Sequence, residues 1–151
     1  MDVKIKGKNE KMTRKELFFA TKYFARQLMS EKLCKNLTIE LICDKNHHCH
    51  GSSVWTDSNH RPREFEIILN ASHGKRTQLI TLAHEMVHVK QHAKGELKSM
   101  LRTREEKWHG RYIKENEMSY YEKPWEIEAY GRELWLYQMF MQWKKEYKLK
   151  F

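Results

Sequence analysis

Cysteine, long apolar runs and recognisable nucleic-acid-reading motifs are all scarce in this chain of 151 residues. Its three cysteines, an odd number, supply no disulfide framework, and a reducing cytoplasm is the expected setting. No apolar stretch approaches the roughly 20 residues that a membrane-spanning helix needs, so no membrane partner is expected. The N-terminal run MDVKIKGKNEK is basic with no apolar segment behind it, and does not read as a secretory signal. Zinc-finger spacing, an RNA-binding signature, a helix-turn-helix pattern and internal repeats are all missing.

What is present describes a globular protein. Hydrophobic residues make up 40% of the chain and aromatics 12%, enough for one domain over residues 1–151 with a real core. The formal net charge is +9. Much of the excess lies at the ends, in Lys4, Lys6, Lys8, Lys11, Arg14 and Lys15, then in Lys144, Lys145, Lys148 and Lys150. Solvated faces account for such charge, and so does non-specific attraction to nucleic acid, which needs no base-reading motif.

The pattern predicts an α+β fold. A first helix is expected over residues 13–34, with Thr13 as N-cap, Glu16 completing a capping box, and Leu17, Ala20, Phe24 and Leu28 facing the core. Three strands follow: Leu37 to Cys43, Gly51 to Thr56, and Arg63 to Asn70. They make a small three-stranded twisted sheet against which helices layer. Gly95 is expected to stop the next helix. Lys107 to Ile113 alternates as a short strand or hairpin arm, and Pro124 opens a last helix with Ile127, Tyr130, Leu134, Tyr137 and Met141 at core spacing.

The chemistry concentrates in Thr77 to Gln91, TQLITLAHEMVHVKQ. On a helix His84 and His88 project one turn apart from the same face, the spacing that grips one zinc ion. Glu85 sits too far round to be the third ligand but reaches a water at the metal's open position, as a general base. Leu79, Leu82, Ala83, Met86, Val87 and Val89 give this helix a broad apolar arc, so it is a core helix. Histidines and a glutamate buried there need partners or a metal.

A catalytic zinc requires a third protein ligand. His92 continues the spacing but stands about 12 Å along the axis from His84, too far to close one tetrahedral site. Glu126 falls in the first turn of the last helix, with the small Ala129 three residues on to permit close approach. This segment, PWEIEA, resembles the gluzincin metallopeptidases, whose second metal helix carries a glutamate ligand in an E-x-x-A pattern. Glu128 lies about 200° round from Glu126 and is the lesser carboxylate, with Arg132 as its expected partner. His109 remains the rival: Trp108-His109-Gly110-Arg111-Tyr112-Ile113 resembles the H-G segment of SprT-like proteases, whose third ligand is that histidine. A further run, Cys43 to His50 with His47, His48 and Cys49, has ligand-type residues but no familiar paired spacing, and is expected to form a polar hairpin tip.

HEMVH, the W-x-G segment and PWEIEA together resemble compact, phage-encoded zinc metallopeptidases of the gluzincin or SprT-like kind, over roughly Arg63 to Arg132. The resemblance implies a zincin-like domain in the host cytoplasm, one catalytic zinc ion, a protein or peptide substrate, and an edge strand along which that substrate lies. REFEIILN is the expected edge strand. Zinc would activate a water and polarise the scissile carbonyl, with Glu85 moving the proton. Tyr112, Tyr120, Tyr121 and Arg132 are the candidate donors to transition-state charge. The alternative is a zinc-stabilised module that binds nucleic acid or protein without catalysis.

Overall fold

The computed structural model describes residues 1–100, 105–114 and 118–150, and the fold is mixed α+β. Its main sheet has four strands, not three. β1 (Asp2–Gly7), β2 (Thr38–Asp44), β3 (Gly51–Trp55) and β4 (Glu64–Asn70) lie in the order β1-β2-β4-β3. β1, β2 and β4 run parallel, and β3 is antiparallel to β4. The unexpected strand is β1, whose alternating Val3 and Ile5 are easily read as a basic leader because lysines fill the other positions.

This order corrects two further expectations. REFEIILN is β4, which is paired on both sides, so it cannot accept a substrate strand. The two edges of this sheet are β1 and β3. Nor do β2 and β3 form a hairpin: the segment between them crosses the end of β4, where Asn70 donates from its side chain to His47 O at 2.6 Å and from its backbone to His50 O at 2.9 Å.

The expected first helix is two. α1 (Arg14–Leu28) is capped by Thr13, whose Oγ1 accepts from Glu16 N at 3.1 Å. Ser30 then starts α2 (Glu31–Lys35). Glu16 does not close a capping box. It is buried, and its carboxylate joins Lys75 at 2.7 Å and Lys144 at 2.5 Å, tying three helices together. The contact with Lys144, like that of Lys6 with Glu40 at 2.5 Å, absorbs some of the terminal basic charge.

α3 (Lys75–Lys94) is the central element, packed against α1, the sheet and α4 (Pro124–Glu146). Leu79, Leu82, Ala83, Met86, Val87 and Val89 are all buried. Gly95 ends it in the left-handed conformation (φ 73°), with Gly95 N bonded to His92 O and Glu96 N to Gln91 O, a Schellman pattern that satisfies the last carbonyls. Gly51 lets β3 lie close to this helix: a Cβ there would meet Thr81 Cγ2 at 2.5 Å. β5 (Leu97–Met100), β6 (Glu105–Trp108) and β7 (Arg111–Lys114) form a second, antiparallel sheet. Lys107 to Ile113 therefore spans both arms of one hairpin.

On α4 the buried face differs in part from the expected one, of which Tyr137 and Met141 pack half-buried against the core. Trp125, Glu126, Ala129, Leu136 and Phe140 turn inward, whereas Ile127, Tyr130 and Leu134 are exposed. Apolar residues surround this helix, so periodicity alone does not choose a face. Packing chooses it: Ala129 is fully buried, and Phe140 stacks edge-on to Phe24 with ring centroids 5.6 Å apart. Among the described residues no helix is long and apolar enough to cross a membrane.

Candidate metal centre

α3 and the first turn of α4 bring His84, His88 and Glu126 together. His84 Nε2 and His88 Nε2 lie 3.1 Å apart, and Glu126 Oε2 is 3.3 Å from the first and 3.5 Å from the second. A cation about 2.0–2.1 Å from each of three tetrahedral donors sets them about 3.3–3.4 Å apart. The three donor atoms thus already stand at the separations a zinc ion imposes.

The outer nitrogens explain why the inner ones converge. His84 Nδ1 is 2.8 Å from Glu133 Oε2, and His88 Nδ1 is 2.8 Å from Gln91 Oε1. An acceptor at each Nδ1 fixes the two rings so that their Nε2 atoms face inward, and a cation would replace any proton on His84 Nε2. Gln91 also donates from Nε2 to Trp125 O at 2.9 Å and to Glu128 Oε2 at 3.0 Å, so one amide both orients a histidine and docks α4 on α3. Tyr120, set by a short 3-10 turn over Tyr120–Glu122, donates to Glu126 Oε2 at 2.8 Å.

Electrostatics fit the same arrangement. Burial opposes a charge on His84, yet its bonds to Glu126 and Glu133 outweigh that and raise its pKa to about 9. Burial likewise works against the Glu126 carboxylate, but the two histidines and Tyr120 hold its pKa well below the ordinary carboxylate range. Burial, then the bond to Glu126, raises the Tyr120 phenol far enough for it to remain a donor. A negative, acceptor-rich cluster that draws in a proton is one that would draw in a cation.

Compared with known proteins, the chain matches no protein family, no curated protein and no solved structure.

The remaining candidates fall elsewhere. Glu85 is buried beside His84 but outside the donor cluster, and accepts from Ser53 Oγ of β3 at 2.7 Å. His109 occupies the exposed tip of the β6–β7 hairpin, with φ 45°, beside Gly110 at φ 86°. His92 packs against Trp55 with ring centroids 4.5 Å apart. Glu128 is engaged by Lys90 at 2.7 Å and by Arg132 at 3.0 Å, on the far side of Gln91 from the cluster. Tyr112 is exposed on β7, whereas Tyr120 and Tyr121 line a cavity of about 540 Å³ with His84, Glu85, Tyr130 and Glu133. A second cavity of about 280 Å³ holds Ser53, Glu85, His88, Tyr120 and Glu126. Gly51, Glu85 and Tyr120 border both.

Ser53, Glu133 and Gln91 were not anticipated. Two of them carried a signal: Gln91 is three residues beyond His88, and Glu133 two helical turns beyond Glu126, so each shares its neighbour's face. Ser53 carried none, because its partner is 32 residues away.

Proposed function

We propose that the protein is a zinc-dependent metallopeptidase with a zincin-like domain of the gluzincin kind, His84, His88 and Glu126 holding the ion. Glu85 is the observation that carries this reading. A structural zinc site is closed by its ligands and has no use for a carboxylate directed at open space. Here a buried carboxylate, excluded from the donor cluster and fixed by Ser53, borders both cavities.

A bound zinc ion would supply Lewis acidity, lowering the pKa of water and polarising a peptide carbonyl. Glu85 takes the proton of the attacking water on Oε1 or Oε2 and returns it to the leaving amine. Ser53 keeps that carboxylate turned towards the cavities. Tyr120 and Glu133 hold Glu126 and His84 in place. Because β3 is an edge of the main sheet and borders the cleft, an extended peptide would pair with Gly51–Trp55.

The test is cleavage of an unstructured protein before and after metal removal. Activity should vanish with a zinc chelator and return when zinc is added back. Cleavage that continues at the same rate in chain shown to be metal-free would overturn the proposal.

A further inference from the structure

We propose that the turn His47-His48-Cys49 is a second metal site, built for a thiophilic divalent cation of the zinc class. Its Cys49 lines the larger cavity, which Glu85 also borders. Among the described residues, this is the one group outside the main site that gathers three histidine, cysteine or carboxylate donors, its ligand atoms all within 4.8 Å of one another.

The backbone carrying these donors is held on both sides. Asp44 Oδ1 accepts from Asn46 N at 2.9 Å before them. Asn70, the last residue of β4, donates to His47 O at 2.6 Å and to His50 O at 2.9 Å. A crossover segment pinned in this way presents its side chains in a fixed order, which lowers the entropy cost of closing a site.

The polar atoms within the turn converge. His47 Nε2 lies 3.1 Å from Cys49 Sγ and 3.2 Å from Ser52 Oγ. Cys49 Sγ donates to Gly51 O at 3.1 Å. A cation bound here would take the place of the contact between His47 Nε2 and Cys49 Sγ. The thiol proton leaves to solvent as the metal–sulfur bond forms, and the two imidazoles bind as neutral ligands. Zinc with sulfur at about 2.3 Å and nitrogen at about 2.0–2.1 Å sets S and N about 3.5 Å apart, a few tenths beyond the present spacing. His48, the exposed member, swings in to complete the set.

Donor chemistry separates the two centres. The main cluster offers two nitrogens and one oxygen, whereas the turn offers two nitrogens and a thiolate, which selects against magnesium and calcium. Its position gives it a consequence. Cys49 and His50 line the larger cavity, and Gly51 begins the edge strand. A metal here would fix the wall and the start of the strand together.

Cobalt(II), titrated into the metal-free full-length chain, tests this, because only a thiolate gives a near-ultraviolet sulfur-to-cobalt charge-transfer band. Cys34 and Cys43 are buried and Cys49 is not, so the band reports this turn. The wild type should bind two equivalents, one of them raising the band. Cys49→Ser should lose that equivalent and the band while keeping the other, which also shows that it has folded, and His48→Ala should weaken the band. A wild type with no thiolate band once the main site is filled would overturn the proposal, as would a band that survives in Cys49→Ser.

Discussion

Ser53 Oγ donates to Glu85 Oε2 at 2.7 Å, joining the edge strand β3 to the carboxylate beside the histidine pair. The bond gives that carboxylate one preferred orientation. Ser53→Ala should therefore slow cleavage roughly tenfold through kcat, the cost of losing one hydrogen bond to a charged group. Zinc content should not change. Steady-state kinetics on one peptide, with metal analysis of the same sample, checks both halves.

Glu133 holds the outer nitrogen of His84 at 2.8 Å. Removing such a partner loosens a ligand without deleting it, and costs about 10–100-fold in metal affinity. Glu133→Ala should lose zinc to a competing chelator by that factor, and recover much of its activity at saturating zinc. An unchanged affinity would mean that His84 is oriented by its packing against Tyr130 instead.

The third ligand separates two resemblances. Glu126→Gln should empty the site or weaken it severely, whereas His109→Ala should leave it full. His109 stands at an exposed hairpin tip outside the three-donor cluster. Metal content of the two purified variants decides between the gluzincin and SprT-like arrangements.

His92 gives the fold an acid-sensitive element. Burial, reinforced by His88, lowers its pKa from 6.5 to about 4, and a bond to the Leu97 backbone opposes the shift only in part. Between these values the unfolded chain binds a proton that the folded one refuses. Stability is thus complete above about pH 6.5 and falls as pH drops towards 4, by on the order of 1–3 kcal/mol. Denaturant unfolding across this window should show the slope in the wild type and a shallower one in His92→Gln.

Local pattern exposed the centre of this protein but not its surroundings. His84, Glu85 and His88 are legible because one helix fixes their relation, and Gly95 because it marks that helix's end. Glu126 is legible from its place in the first turn after Pro124. The strand order is not, because inserting β4 between β2 and β3 depends on pairings remote in sequence. For the same reason REFEIILN looked like an edge, and β1 like a basic leader. The α4 face was lost differently: a helix with apolar residues on all sides takes its orientation from Phe24 and α3, which its own periodicity does not describe.

The most direct measurement of the central claim is made on Glu85→Gln. The substitution keeps the shape and the hydrogen bond from Ser53 but removes the base, and it touches none of the three donors. The purified variant should carry as much zinc as the wild type, unfold at a similar denaturant concentration, and cleave an unstructured protein at least about a hundredfold more slowly. A variant that retains zinc and the full cleavage rate would contradict the account.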